Sequence, residues 1–185
     1  MLLITALALF LYNLSENFRA AKESREMLAL LEAQMSDNQQ ELQVDPPKGL
    51  PSDIQSMAEI EIDGNMYIGY LSIPSLELEL PIMSDWNYKK LQIAPCRYYG
   101  TVNQNNLVIM AHNYSHHFGK IVNLNYNDTI IFTDVNGIAT RYKVVGQDIL
   151  DPYAVGEMVA GDFDLTLFTC TYGGKSRVTV YCDRQ

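Results

Sequence analysis

The chain has 185 residues, 48% of them hydrophobic, and a formal net charge of −9 at neutral pH. This length and composition suit one domain with a sizeable core and an extension. The 13 Lys and Arg residues are outnumbered by 22 acidic ones and form no basic run. A nucleic-acid partner is therefore excluded, because phosphate binding needs clustered positive charge.

The first segment, residues 1–14, is apolar and carries no charge. It is shorter than the ~20 residues that a membrane-spanning helix needs. Three interpretations stay open on the residues alone: a truncated membrane anchor, the core of a secretion signal, and a helix that packs on the domain. No basic residue precedes the apolar run, which argues against a signal peptide.

Residues 15–42 show helical periodicity, with apolar side chains at spacings of three to four and charged residues on the other face. The pattern predicts a helix that serves as a stalk, as a self-association helix or as a helix packed on the domain. Residues 43–65 contain three prolines and end in an acidic stretch. Because proline interrupts helices, we predict a linker there.

From residue 66 onward the pattern is that of short strands, which places the folded domain at residues 66–185. A short helix is predicted over Trp86–Ile93, with Trp86 turned inward. Asn136-Gly137 suits a hairpin turn. Many short strands at this spacing indicate an all-β sandwich or a closed barrel. The predicted strands cover residues 67–73, 76–80, 107–110, 129–133, 140–150, 164–169 and 177–181.

The last two of these strands form a hairpin around Gly173-Gly174, with Cys170 ending one strand and Arg177 beginning the next. The hairpin brings the two side chains close together. A thiol beside a guanidinium is biased toward thiolate, the form that attacks carbonyls. Of the other two cysteines, Cys96 and Cys182, the sequence allows either a disulfide or two buried free thiols.

All three histidines, His112, His116 and His117, lie in one segment. Imidazole suits a cysteine nucleophile because its pKa lies near neutrality. His112 follows the apolar strand directly, so the end of the strand fixes its position. A zinc site made of the histidines and Cys170 is a weaker alternative, because the spacing matches no usual finger.

Two motifs resemble the sortase family. Thr166-Leu-Phe-Thr-Cys170 is similar to the sortase signature, in which Thr-Cys closes a strand and an arginine opens the next. Residues 106–118 are similar to the strand that ends in the catalytic histidine, and the order His112, Cys170, Arg177 also matches. The similarity covers roughly residues 66–184. Ala111 departs from the family pattern, which usually has glycine before the histidine.

The resemblance implies a mostly β fold, an eight-stranded sortase-type barrel with short helices and an N-terminal helical extension. It implies a cysteine transpeptidase that cleaves an LPxTG-like signal between Thr and Gly. Cys170 is then the nucleophile, His112 the acid and base, and Arg177 the group that stabilises the oxyanion. Arg184 is the rival arginine and is expected on the surface. The subclass, B-like or D-like, is not resolved.

Further residues are expected to contact the substrate. The Thr169 hydroxyl is placed to orient it, and the backbone N–H after Cys170 to assist the oxyanion. Residues of the apolar loop before the cysteine strand either form a pocket for the Leu-Pro of the signal or belong to the core. The residues of this loop singled out for the pocket are Ile149, Leu150, Val155 and Met158.

The implied partners are surface proteins that bear sorting signals and an amine acceptor of cell-wall peptide or pilin. Neither a cofactor nor a metal is implied. Because sortases typically carry one N-terminal anchor, the resemblance favours a truncated anchor at residues 1–14 and an extracellular domain. Two alternatives remain: a cysteine peptidase that hydrolyses the same signal, and a catalytically silent surface-binding module.

Overall fold

The N-terminal helix α1 runs from Leu2 to Leu42 in the computed structural model, which describes residues 2–42, 57–160 and 162–185. The helix therefore includes the apolar segment that we separated from residues 15–42. It continues because no proline or glycine interrupts residues 2–42. Its C-terminal part packs on the barrel through a stripe of small and apolar side chains at helical spacing. This buried stripe consists of Ala20, Ala21, Ser24, Leu28, Leu31 and Met35.

The N-terminal part of the same helix projects away from the barrel. Leu3 is 86% exposed, Phe10 62% and Phe18 62%. Phe18, an apolar residue of the segment predicted as helical, therefore points to solvent. Within residues 2–42, 57–160 and 162–185, no helix has the length and apolar character needed to cross a bilayer.

Nine strands form the sheet within the described residues. They are β1 Ile60–Ile62, β2 Asn65–Ile73, β3 Leu78–Met83, β4 Cys96–Tyr99, β5 Leu107–Ala111, β6 Thr129–Asp134, β7 Ala139–Leu150, β8 Leu165–Cys170 and β9 Arg177–Arg184. Eight of them close into a barrel in the order β2-β3-β4-β5-β8-β9-β7-β6, with β6 pairing back to β2. The expected eight-stranded barrel is confirmed. The remaining strand, β1, pairs with β2 at the edge of the sheet.

Helical segments between the strands are short. A single-turn helix α2, Val155–Met158, lies between β7 and β8. There are 3-10 turns at Pro74–Leu76, Lys90–Gln92 and Phe118–Asn123. The helix predicted over Trp86–Ile93 is thus reduced to one 3-10 turn at its end.

The barrel interior is filled by alternate residues of the strands, as a period of two requires. Ile109, Leu167 and Val180 are fully buried there. Gly69 lies where β2 changes its partner from β1 to β6. Its φ is 142°, and a Cβ at this position would come within 2.0 Å of the Thr133 carbonyl oxygen. Closure of the barrel therefore requires glycine here.

The segment predicted as a linker, residues 43–65, is described only from residue 57. It contains a strand that we did not predict, β1, whose Ile60 and Ile62 are buried against α1 and the outside of the barrel. The three cysteines are all free. Cys96 and Cys182 belong to separate buried clusters, so the disulfide alternative is wrong.

Candidate active site

The site is built at one end of three adjacent strands. β5 and β8 are parallel, and Ala111 is paired with Thr169 at their C-terminal ends. His112 is the first residue after β5, and Cys170 is the last residue of β8, so the two residues lie side by side at this end of the sheet. β9 runs antiparallel to β8, and Arg177 at its start is paired with Cys170. The fold thus brings together the three residues that the sequence predicted.

Cys170 and Arg177 are directly opposite each other in the ladder, which places their Cβ atoms about 5 Å apart on one face. The intervening turn is closed by Thr171 N donating to the Ser176 carbonyl oxygen at 2.9 Å. Gly173 and Gly174 adopt φ values of 85° and 73°, which glycine tolerates without strain. The glycine pair therefore allows the tight connection that keeps Cys170 beside Arg177.

The Arg177 guanidinium lies over this turn. Its Nη1 donates to the carbonyl oxygens of Gly174 and Ser176, each at 3.2 Å. A guanidinium has five N–H donors, so these bonds leave others for a bound carbonyl. The Thr171 N–H that we expected to assist the oxyanion donates to Ser176 instead, as part of the turn.

Thr169 has a different place from the one expected. It is 3% exposed, and its Oγ1 donates to the Ala111 carbonyl oxygen at 2.8 Å. The structure thus gives no support to the prediction that this hydroxyl orients the substrate, because the hydroxyl is buried and already bonded. It ties together the ends of β5 and β8, directly before His112 and Cys170.

His112 begins a segment that we call the histidine loop, residues 112–117. Burial lowers the pKa of His112 from its ordinary value. The Tyr114 ring lies beside the His112 ring, with centroids 5.0 Å apart. At neutral pH the ring is therefore mainly neutral, and its protonated form is a stronger acid than a free imidazolium.

The other two histidines do not join this cluster. His117 is fully buried against α1, and burial, with a further contribution from His112, lowers its pKa to about 4. His116 lines a cavity between α1 and β3, together with Arg25 and Glu79. Among the described residues, no group of three or more His, Cys, Asp and Glu side chains is arranged to hold a metal ion.

Beneath the site, the outer face of the barrel is apolar. Phe168 lies two residues before Cys170 on the same face and packs with Val108 and Met158. Met158 is 3% exposed, and Leu150 packs against the same cluster. Of the four loop residues singled out for the pocket, Leu150 is therefore partly accessible beneath the site, whereas Met158 belongs to the core. Ile149 and Val155 are 67% and 40% exposed and lie outside the cluster.

An aromatic cleft beside β4 was missed by the sequence analysis. Its volume is about 720 Å³, and Trp86, Arg97, Tyr98 and Gln104 are part of its lining. The Tyr98 ring is 5.2 Å from that of Phe168 and 5.7 Å from that of Trp86. The cleft therefore continues the apolar surface around Phe168, which we call the apolar floor. Trp86 is 38% exposed, and the prediction that it turns inward is wrong. The paired tyrosines after Cys96-Arg97 were the available signal.

A sortase-domain family model matches residues 71–185. Sortase A of Bacillus anthracis is 27% identical over 162 residues, which cover 84% of this chain and 76% of that protein. A sortase D5 transpeptidase of Clostridium perfringens superposes with a TM-score of 0.66 at 16% identity, over 89% of this chain and 99% of that one.

Sortase C of Clostridium perfringens SM101 superposes with a TM-score of 0.57 at 24% identity, over 86% of this chain and 90% of that one. These two structural matches show the shared fold, and the family model covers the strands that carry His112, Cys170 and Arg177. The chain therefore belongs to the sortase family, whose members are cysteine transpeptidases.

Proposed function

We propose that this protein cleaves an LPxTG-like sorting signal between Thr and Gly and transfers the acyl part to an amine. The observation that carries the proposal is the strand register. Ala111 pairs with Thr169 and Cys170 pairs with Arg177, so a nucleophile, a proton carrier and a cation meet at one barrel end. Cys170 is partly exposed there, which leaves its sulfur open to a peptide.

In the first half of the reaction, the Cys170 thiolate attacks the carbonyl carbon of the signal's Thr. Negative charge develops on the carbonyl oxygen, and the Arg177 N–H groups not bonded to the turn stabilise it. Protonated His112 gives its proton to the departing glycine nitrogen as the C–N bond breaks. The products are a thioester on Cys170 and the free amine of the leaving peptide.

In the second half, an incoming amine attacks the thioester carbon. Neutral His112 accepts the proton from the attacking nitrogen, and Cys170 leaves as thiolate. The lowered pKa of His112 suits this half, because the neutral ring predominates at neutral pH. His112 gives up one proton in the first half and takes one up in the second, so it returns to its starting protonation state.

The substrate lies on the apolar face below Cys170. Leu150 and the aromatic cleft at Trp86 and Tyr98 are accessible and provide the surface for the Leu-Pro of the signal. The buried Phe168 and Met158 support that surface from below. A solved sortase C of Clostridium perfringens is described as containing the C-terminal cell wall sorting motif. We propose a motif of the same class for this chain.

The partners that follow from this reaction are surface proteins bearing a sorting signal, and a cell-wall peptide or pilin that supplies the amine. Sortases are typically associated with the cell surface. We propose that the exposed apolar part of α1, which includes Leu3, Leu7 and Phe10, attaches the protein to the membrane, with the barrel outside the cell.

The test is mass spectrometry of the full chain incubated with a panel of LPxTG-like peptides, with and without triglycine. We expect an acyl adduct on Cys170, and a peptide–triglycine product when the amine is present. Cys170→Ala, which removes only the sulfur, is the matched control and should give neither species. Free acid without amine product would favour the peptidase alternative. Folded protein with neither adduct nor cleavage would overturn the proposed function.

A further inference from the structure

Helix α1 is bonded to the histidine loop. The Asn17 side-chain oxygen accepts hydrogen bonds from Ser115 N at 2.9 Å and from Ser115 Oγ at 3.3 Å. The Asn17 side-chain nitrogen donates to the Asn13 carbonyl oxygen at 3.0 Å, which fixes the orientation of the amide. Ser115 is three residues after His112, so an N-terminal helix outside the barrel contacts the segment that begins with His112.

A buried contact lies one helical turn further on. Ala20 of α1 and His117 at the end of the loop are both fully buried. Backbone groups of Ala20 and Ile93 lie near the His117 ring and favour its protonated form. Within the described part of the chain, however, neither ring nitrogen makes a hydrogen bond of ordinary geometry. The helix therefore covers a neutral imidazole, and no water reaches it.

The loop itself is tightly folded. His117 N and Gly119 N both donate to the Tyr114 carbonyl oxygen, at 3.0 Å and 2.9 Å. A Cβ at Gly119 would come within 2.5 Å of the Asn113 carbonyl oxygen. Phe118 N donates to the His112 carbonyl oxygen at 3.2 Å. A shift of the loop at Ser115 or His117 is therefore passed along the backbone toward His112.

Tyr114 connects this contact with the His112 ring. Its ring centroid is 5.0 Å from that of His112 and 5.5 Å from that of His117. Burial, and next the nearby Glu16 of α1, raise the pKa of Tyr114, while Arg19 lowers it. The tyrosine therefore lies between His112 and the helix, with the ion pair of Glu16 and Arg19 near its hydroxyl.

We propose that α1 is part of the catalytic apparatus, with Asn17 and Tyr114 acting as positioning residues for His112. The proposal rests on the proposed function, in which His112 moves a proton in both halves of the reaction. The strand ladder fixes Cys170 and Arg177 directly, whereas His112 lies just beyond β5 and its ring is held by packing. Without the helix, the Tyr114 ring loses its support and the His112 ring leaves the position from which it serves the scissile bond.

The test compares Asn17→Ala, Tyr114→Ala and Tyr114→Phe in the full chain. Gln34→Ala, an exposed change on the same helix, is the control. For Asn17→Ala and Tyr114→Ala we expect kcat to fall roughly 10-fold, part of the ~10²–10⁴ that a general acid–base group contributes. KM should change less than about 2-fold, because the apolar floor is untouched. Tyr114→Phe keeps the ring that packs on His112, so it should rescue most of the kcat that Tyr114→Ala loses.

A second readout does not require catalysis. NMR titration of the His112 ring should give a pKa that rises toward about 6.5 in Asn17→Ala, because the ring becomes hydrated. The groups facing His112 are Tyr114 and His117 of its own loop, and Cys170 and Arg177 of the adjacent strands. Substitution of His116 and His117 to Gln assigns the three ring signals. Circular dichroism confirms that each variant is folded.

The outcomes separate the two proposals. If kcat and the His112 titration of Asn17→Ala equal those of Gln34→Ala, the positioning role is overturned while the transpeptidase stands. If the wild-type chain acts on no peptide but its His112 titration moves in Asn17→Ala, the helix positions the histidine and the proposed function fails. If Tyr114→Ala does not fold, Asn17→Ala decides, since its side chain is only half-buried.

Discussion

Two parts of the site are held in different ways. Cys170 and Arg177 face each other in the β8–β9 ladder, and a six-residue connection whose backbone is bonded at Thr171 and Ser176 joins them. His112 lies one residue beyond β5, and its ring rests on Tyr114, which in turn contacts His117 under helix α1. Backbone hydrogen bonds therefore hold Cys170 and Arg177 in place, whereas side-chain packing holds the His112 ring.

The difference shows where the site can be perturbed from a distance. A ladder position changes only when the sheet itself opens, since its hydrogen bonds are part of the barrel. A packed ring moves when any of its neighbours is removed. We therefore expect the thiol and the guanidinium to tolerate changes in α1, and the imidazole to be sensitive to them.

The largest effect is expected at His112, whose ring is held by side-chain packing. His112→Ala should lower kcat by roughly 10²–10⁴, the contribution of a positioned general acid and base. His116→Ala, four residues further in the same segment, should change kcat less than about 2-fold, because His116 lies in a separate cavity beside α1. Steady-state kinetics with a cleavable peptide measure both, and equal losses would contradict the assignment.

Arg177 is held in the β8–β9 ladder. Arg177→Ala should lower kcat by roughly 10²–10³, as expected for a lost oxyanion donor. Arg177→Lys keeps the charge but lacks the planar fork, so an intermediate loss is expected. Arg184→Ala is the matched control, because Arg184 donates to Asn105 and Thr140, away from Cys170. A loss at Arg184 as large as that at Arg177 would reject the role given to Arg177.

The contact between the histidine loop and α1 should weaken in acid. The pKa of His117 is about 4 in the folded chain, whereas the unfolded residue titrates at about 6.5. Between these values the unfolded chain binds a proton that the folded chain does not, so stability falls as the pH drops. The loss in the free energy of unfolding approaches about 3 kcal/mol near pH 4 and changes little at lower pH.

Denaturant unfolding at pH 7.5 and at pH 4.5 measures this loss in the wild type and in His117→Phe. The variant should keep most of its stability at pH 4.5, with a residual loss from His112 and His116, whose pKa values are also lowered. An equal pH dependence of the two proteins would mean that His117 is not buried in its neutral form.

The smallest effect is expected for the hydrogen bond from Thr169 to Ala111, which joins the ends of β8 and β5 next to the site. Thr169→Val removes the donor to the Ala111 carbonyl oxygen and should cost about 1 kcal/mol of stability, with a small loss of activity. Thr179→Val is the matched control. Its hydroxyl is fully buried and has no hydrogen-bond partner within the described residues, so valine there should be neutral or stabilising. Thermal unfolding of both variants distinguishes the two cases.

Local sequence patterns predicted the positions of Cys170 and Arg177 well. The alternation of residues 165–181 and the Gly173-Gly174 break indicated the hairpin, and β8 and β9 end and begin at Cys170 and Arg177 as predicted. His112 was placed at a strand end on the same grounds. The resemblance to sortases supplied the eight-stranded barrel, which the residues alone left open as a barrel or a sandwich.

Contacts between distant segments could not be predicted in this way. The bond from Thr169 to Ala111 joins residues 58 apart, and no periodicity reports such a pair. The strands β1 and β4 have three and four residues, too few for a recognisable alternation. The contact of Asn17 with Ser115 spans 98 residues and requires knowing which face of α1 meets the barrel.

The three thiols differ sharply in their burial. Cys96 and Cys182 are fully buried, and burial raises the pKa of the Cys96 thiol to about 12 and raises that of Cys182 as well. Cys170 is the partly exposed one. An electrophilic dye added to the unmodified protein at neutral pH should therefore attach at a single position, within the site. The wild-type chain thus carries its own chemical handle, and peptides that occupy the site can be ranked by how well they block the dye.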